Sequence, residues 1–167
     1  MSARHVVVVA VVSVLSSSCG GPGFYSDGRF RFYDVERARS EECAIRANGE
    51  FCVEPEQFDP PVTEVWTVDL NDDTSTLYVD EEVWVLDPLP EGATDDAPRT
   101  ASRRSIVTDG GTGCTTTRLR DISFVSDESG LTGTLRESQV LEGPASCGDT
   151  PAGQRSVDTL TGIAGGP

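Results

Sequence analysis

Apolar and polar residues alternate in short segments over most of this chain. Trp66, Val68 and Leu70 occupy every second position of the segment that begins at Val62. Successive residues of a β-strand point to opposite faces, so these three side chains would share one face. Turn-forming residues separate such segments, as in the Asp-Glu-Ser-Gly stretch at 127–130. The pattern predicts about six or seven strands, and their one-sided apolar faces favour antiparallel pairing.

Short turns between consecutive strands favour a particular mainly β architecture. We expect an antiparallel meander that forms a small or partly open barrel, with a β-sandwich as the alternative. Cys52, Trp66 and Cys114 have the spacing of an immunoglobulin-type sandwich, but Thr112 occupies the position where that fold has a tyrosine. The meander is therefore the preferred prediction.

Three segments predict departures from plain strands. A short helix is expected over residues 35–47, capped by Asp34 and ended by Asn48-Gly49. Residues 87–102 are rich in Pro, Gly and Asp, and they predict a long loop that is mobile or functional. The apolar phase shifts inside residues 114–125, which predicts a bulge or a bend there.

Five cysteines, an odd number, occur at positions 19, 43, 52, 114 and 147. If Cys19 does not form a disulfide, four cysteines remain, and these allow two disulfides in three connectivities. Pairing of neighbours, Cys43–Cys52 and Cys114–Cys147, is the simplest choice. A four-cysteine zinc site is the alternative, but the usual CxxC spacings are missing.

The N-terminal residues carry the features of an export signal. Arg4 and His5 precede an apolar run from Val6 to Leu15, and Ser17-Ser18-Cys19 follows. A membrane-spanning helix needs about 20 apolar residues, so this run is too short to span. The segment resembles a bacterial lipoprotein signal peptide, although Ser16 stands where that family prefers Leu. The resemblance implies that Cys19 is lipidated and becomes the first mature residue; the alternative is an ordinary secreted protein cut near Ser18.

This interpretation divides the chain into a signal peptide (1–18), a lipid-anchored tether (19–26) and one β domain (27–167). Residues 19–167 hold 12 Arg against 28 Asp and Glu, a net charge of −16. Such a surface repels nucleic acid and anionic membranes, so membrane attachment would come from acyl chains on Cys19. The family's sorting pattern, with Gly20 after the cysteine, implies an exported protein held at the outer membrane.

Two residue types that serve many enzymes are missing from the expected mature chain. All 13 basic residues are Arg, and the single His is His5. This composition excludes Ser-His-Asp and Cys-His catalysis, histidine-ligated zinc or haem, and lysine-based nucleophiles or phosphate loops. Carboxylates are left as the main acid–base groups near neutral pH. We expect no cofactor.

One acidic stretch has part of the pattern of a calcium-binding loop. The candidate oxygen ligands stand at positions 1, 3, 5, 7 and 12 of such a loop: Asp69, Asn71, Asp73, Ser75 and Asp80. The glycine required at position 6 is replaced by Thr74, and position 12 is Asp instead of Glu. A polar hairpin turn is the simpler interpretation.

The acidic triplet Asp80-Glu81-Glu82 offers a second candidate site. On a strand, Asp80 and Glu82 would share a face, and two carboxylates about 5–10 Å apart can hydrolyse glycosidic bonds. A charge-protected strand edge is the alternative.

Aromatic and basic side chains supply two further candidates. Trp66, Trp84 and Tyr78 would stack a sugar if they were exposed, but in a small β domain we expect them in the core. The arginines expected to bind an anion, or to pair with carboxylates across strands, are Arg103, Arg104, Arg118 and Arg120. We favour the ion pairs.

These observations predict a non-catalytic, lipid-anchored envelope protein that acts as a binding or interaction module. A barrel mouth or the 87–102 loop is the expected contact surface, because loops on rigid scaffolds often carry binding. A carboxylate-based glycan hydrolase and a calcium-dependent adhesion module are the alternatives. A hydrolase would require two converging carboxylates, at least one with a raised pKa.

Overall fold

A computed structural model describes residues 29–46, 48–70, 74–94, 97–144, 147 and 153–165. The predicted signal peptide (1–18) and the whole of the predicted tether (19–26), including Cys19, lie outside these residues. Nine strands occur in the described part of the chain: β1 Phe30–Arg46, β2 Gly49–Cys52, β3 Val62–Asp69, β4 Thr76–Val79, β5 Glu82–Val85, β6 Arg99–Thr108, β7 Thr115–Ser126, β8 Gly130–Glu142 and β9 Gly153–Ala164. A short 3-10 turn covers Pro55–Gln57. No helix in the described residues is long and apolar enough to cross a membrane.

The strands form one antiparallel sheet in the order β5-β4-β3-β1-β9-β8-β7-β6. Because β1 lies between β3 and β9, this order is an up-and-down meander rolled into a nearly closed barrel, and a seam remains between β5 and β6. The partly open barrel predicted from the sequence is therefore confirmed, and the sandwich alternative is wrong. β2 stands outside the meander and pairs only with the end of β1.

β1 replaces the helix that was predicted over residues 35–47. Its first half pairs with β3 and nearly all of it pairs with β9, with an irregularity between Arg39 and Glu41. The local sequence has few apolar residues, but pairing on both sides satisfies the backbone hydrogen bonds of a strand and overrides the weak helix signal. Asn48-Gly49 forms the turn into β2 instead of a helix end, and Gly49 adopts a φ of 135°.

The apolar core fills the barrel between its inward-facing side chains. Trp66 and Val68 are buried as predicted, while Leu70 is partly buried and packs against the core. The remaining buried members come from seven other strands and include Tyr33, Val35, Leu77, Trp84, Ala101, Phe124, Leu131 and Leu160. At one end of the barrel the Tyr33 hydroxyl donates a hydrogen bond to the backbone carbonyl of Asp127, 2.8 Å away. Burial raises the pKa of this hydroxyl, which therefore stays a donor.

The β7–β8 hairpin and its turn agree with the sequence. The Asp127 carboxylate accepts hydrogen bonds from the backbone N–H groups of Ser129 and Gly130, at 2.7 and 3.0 Å. The predicted bulge inside residues 114–125 is wrong, because β7 pairs with β8 from Thr115 to Ser126 without a register shift. The change of apolar phase marks instead the point along β7 where its inward-facing residues stop being part of the apolar core.

The loop predicted over residues 87–102 is shorter than expected. β6 already begins at Arg99, and Arg99 and Ala101 are buried. The backbone N–H of Asp87 donates to the carbonyl of Thr100 at 2.7 Å, which ties the two sides of the seam at this point. Pairing with a neighbouring strand therefore makes polar residues of the predicted loop part of β6.

Both predicted disulfides are present. Cys43–Cys52 joins directly opposed residues of β1 and β2, and Cys114–Cys147 links the start of β7 to the segment after β8. The four-cysteine zinc site and the immunoglobulin pairing are therefore wrong.

Beyond the ends of β3 and β5, the sheet continues with segments of six strands. We call this part the distal sheet, and it comprises Ala38–Arg46, β2, Arg103–Thr108, Thr115–Asp121, Arg136–Glu142 and Gly153–Val157. Its inner face continues the inner face of the barrel, but most of the apolar core residues lie before it.

Candidate functional site

The inner face carries arginines and acids immediately beyond the apolar core. A side chain two positions from a core residue lies on the same face of the strand, so Arg120 shares the inner face with Ile122, and Glu64 shares it with Trp66. We call this set the charged layer, and its members are Arg37, Arg39, Arg103, Arg118, Arg120, Glu42, Glu64, Glu82, Glu137 and Asp158. Because five arginines face five carboxylates, the layer has no net formal charge in a strongly acidic chain.

One half of the charged layer holds the seam together. Arg120 Nη2 lies 2.6 Å from Glu82 Oε1, and Arg103 Nη1 lies 3.5 Å from Glu82 Oε2. The guanidinium carbons of Arg103 and Arg120 lie 5.4 and 5.0 Å from the ring centroid of Trp84, within cation–π range. We call these four residues the seam cluster. Glu82 and Trp84 belong to β5, so the cluster fastens β5 to β6 and β7, to which it has no ladder pairing.

The seam cluster fixes the protonation state of Glu82. The hydrogen bond from Arg120 lowers the pKa of Glu82, burial opposes this, and the charges of Arg120 and Arg103 lower it further. Glu82 is therefore ionised at neutral pH and does not serve as a proton donor there. A glycosidase acid needs the opposite shift.

Asp80 and Glu81 do not join Glu82 in a site. Both lie in the β4–β5 turn, both are exposed, and Asp80 has a φ of 49°. The prediction that Asp80 and Glu82 share a strand face is wrong, because the chain turns at Asp80 and the strand begins at Glu82.

The other half of the charged layer lies on β3, β1 and β9. Arg39 Nε and Arg37 Nε lie 2.5 and 3.5 Å from the two oxygens of Asp158. Arg37 also contacts Glu64 at 3.0 Å, and Trp66 Nε1 donates to Glu64 at 3.1 Å. The side chains of Asp158 and Glu64 are almost fully buried. Buried carboxylates that are each matched by a guanidinium form a structural network.

The described calcium candidates are far apart or already engaged. Asp69 is buried and accepts two hydrogen bonds from Arg29, at 2.6 and 2.9 Å. Ser75 accepts a hydrogen bond from Arg99. Asp80 lies at the other end of the four-residue β4, about 16 Å from Ser75 along the strand. Asn71 and Asp73 lie outside the described residues.

A different group satisfies a simple distance test for a metal. The ligand atoms of Cys43, Glu50 and Cys52 all lie within 4.8 Å of one another. Both sulfurs belong to a disulfide, so no thiolate is offered to a metal there.

The aromatic and arginine predictions are confirmed in large part. Trp66 and Trp84 are core residues, while Tyr78 is 38% exposed on the outer face. Arg103 and Arg120 pair with Glu82, and Arg118 pairs with Glu137 on β8 at 3.2 Å. Arg104 is exposed and has no ion pair with the described residues.

Sequence reasoning missed Glu64, Arg37 and Asp158 as members of one layer. Their common signal is a charged residue in phase with buried apolar neighbours, such as Arg37 after Val35 and Asp158 before Leu160. The layer presents both hydrogen-bond donors and acceptors to the inner face of the distal sheet, but its carboxylates are held by arginines. Comparison with protein-family models, curated proteins and solved structures found no match.

Proposed function

We propose that this protein is a non-catalytic binding module of the bacterial cell envelope, anchored by lipid at Cys19, most simply to the outer membrane. The observation that carries this proposal is the state of the charged layer. Each of its carboxylates faces an arginine, and the pKa of Glu82 is lowered, not raised. This arrangement supports recognition on a rigid scaffold rather than acid–base chemistry.

The inner face of the distal sheet is the proposed binding surface. It is the concave side of a barrel-shaped sheet, and the charged layer lies where it meets the core. Further along, inward-facing positions hold small polar and apolar residues such as Ser105, Val107 and Thr116. Mixed polar and apolar lining next to fixed charges is typical of surfaces that bind ligands or partners.

The anchor is tested by Cys19→Ala in the whole chain. Expected results are loss of acyl labelling and release from the membrane fraction, because the acyl chains provide the membrane attachment. Labelling that persists in the variant would contradict the anchor. Wild-type protein processed beside it supplies the control.

The binding surface is tested by placing a photo-crosslinking amino acid at Ser105 or at Ile106 in cells. These neighbours on β6 face opposite sides of the distal sheet, so they form a matched pair. A defined crosslinked product from position 105 and none from 106 is expected. Equal products from both positions, or none from 105, would count against the inner face. Glycan release by wild-type protein that is lost in Glu82→Gln would establish the hydrolase alternative.

A further inference from the structure

The outer face of the barrel has an exposed apolar surface on the side where the chain enters the fold. We call it the outer patch, and its exposed members are Val65, Tyr78, Val83, Val85 and Ile163. They lie on β3, β4, β5 and β9, opposite to the buried residues of the same strands. Isolated exposed apolar residues are common, but a contiguous group of them usually marks an interaction surface.

The strand register shows that this group is contiguous. Val83 is directly opposite Tyr78, Tyr78 is opposite Thr67, and Thr67 is opposite Phe32. This row crosses four strands without a charged residue. Side chains directly opposite each other have Cβ atoms about 5 Å apart, so they form a continuous surface.

The neighbouring rows add apolar residues and few free charges. One runs from Val85 through Thr76 and Asp69 to Phe30, and the Asp69 carboxylate is neutralised by its paired contact with Arg29. On the other side, Asp34 lies directly between Val65 and Ile163, so this row carries one exposed carboxylate. The centre of the patch is therefore uncharged on a chain of net charge −15.

We propose that the outer patch rests on the lipid bilayer to which the protein is anchored. This inference rests on the proposed lipid anchor and goes beyond it, because it assigns a second, non-covalent membrane contact. Phe30 opens β1 and belongs to the patch, so the tether joins the fold at this surface. Cys19 and Arg29 are ten residues apart and so at most about 36 Å apart, which keeps the patch close to the anchor.

Charge favours a bilayer over a second copy of the chain. Two mature chains of charge −16 repel each other, and any acidic rim around the patch would meet its own equivalent. A zwitterionic lipid surface presents no such opposition to an uncharged face. The patch also lies on the convex side of the sheet, which suits an extended surface and not an enclosed small molecule.

The test uses tryptophan as a probe of lipid contact. The protein is expressed with its own signal, purified from membranes and reconstituted into phosphatidylcholine vesicles with or without brominated chains. Val83→Trp and Val85→Trp report on the patch, and Val140→Trp is the matched control. Val83 and Val140 are 50% and 43% exposed valines on the outer faces of strands, but Val140 lies in the distal sheet. The native Trp66 and Trp84 are buried and give a constant background.

We expect brominated vesicles to quench the fluorescence of Val83→Trp and Val85→Trp and to leave that of Val140→Trp unchanged. Patch probes that are quenched no more than Val140→Trp would overturn the proposal. A blue shift without quenching, which grows with the amount of protein per vesicle, would assign the patch to a second copy and would also overturn it.

Failure of the anchor and failure of the patch give different results. Intact mass shows whether Cys19 carries acyl chains before any vesicle is made. If it does not, Cys19 of the secreted chain is coupled to a maleimide lipid, since the four other cysteines are in disulfides. The same quenching comparison then tests the patch independently of natural lipidation.

Discussion

Removing the charge of Glu82 should loosen the seam by a small and measurable amount. Glu82→Gln keeps the size of the side chain and an oxygen for the Arg120 hydrogen bond, so the main loss is the attraction to Arg120 and Arg103. The Glu82 side chain is 41% exposed and its two partners are partly exposed, so solvent screens both ion pairs. Exposed pairs contribute about 0.2–1 kcal/mol each, and the sum here is about 1 kcal/mol at pH 7.

The same ion pairs set the direction of a pH effect. The pKa of Glu82 is lowered in the folded protein from its ordinary value of 4.5. A depressed folded pKa contributes stability that is fully present above the unfolded pKa and is lost as pH falls through the folded pKa. The difference between wild type and Glu82→Gln should therefore be constant above about pH 5 and shrink as pH falls below 4.5.

Urea unfolding followed by tryptophan fluorescence measures both quantities, at pH 7 and through a series down to pH 2. Glu81→Gln is the matched control, because Glu81 is the adjacent exposed residue and has no ion pair with the described residues. It should unfold as wild type does, within about 0.5 kcal/mol. The reasoning is refuted if Glu82→Gln destabilises equally at all pH values, or if Glu81→Gln costs as much.

Two further substitutions test how the scaffold is held. Replacing both Cys43 and Cys52 by Ala should lower the free energy of unfolding by about 3 kcal/mol, from the entropy of a loop with a sequence separation of 9; unchanged urea midpoints would contradict this. Gly133→Ala should cost roughly 1–3 kcal/mol, because its Cβ would lie 2.8 Å from the Cα of Phe124 on β7. Gly110→Ala, with no atom within 4 Å, is the control, and equal thermal midpoints for the two would remove the steric argument.

Local sequence patterns predicted the parts of the fold that local physics determines. Alternation placed Trp66 and Val68 in the core, and the turn chemistry of Asp127 placed the β7–β8 hairpin. Neighbour pairing predicted the Cys43–Cys52 disulfide, because these two cysteines flank a short hairpin. Each of these features depends on residues that are close in the chain.

The features that were missed depend on residues that are distant in the chain. β1 is a strand because β9, more than 100 residues later, pairs with it from Tyr33 to Ile45. Glu82 meets Arg120 across 38 positions, and only the closing of the meander brings β5 near β7. A single sequence offers no register between such segments, so the seam cluster was visible only as an acidic triplet and a set of arginines.

Many arginines of this protein are engaged in ion pairs, and this explains why an uncharged surface is unusual on it. In the described part of the chain, ion pairs engage seven arginines: Arg29, Arg37, Arg39, Arg103, Arg118, Arg120 and Arg155. Because the acids outnumber the arginines by more than two to one, the excess negative charge must lie on the surface. The outer row from Val83 to Phe32 carries none of this excess negative charge. Its lack of charge is therefore a specific feature of the fold.

The outer patch and the inner face of the distal sheet should also act independently. Val83 lies on the outer face of β5 and Ser105 on the inner face of β6, although Glu82 and Arg103 bring these two strands together at the seam. Substitutions that lie on opposite faces and share no partner are expected to have additive effects. Val83→Trp should therefore leave crosslinking from Ser105 unchanged, and a variant that altered both would show that the two surfaces are coupled through the barrel.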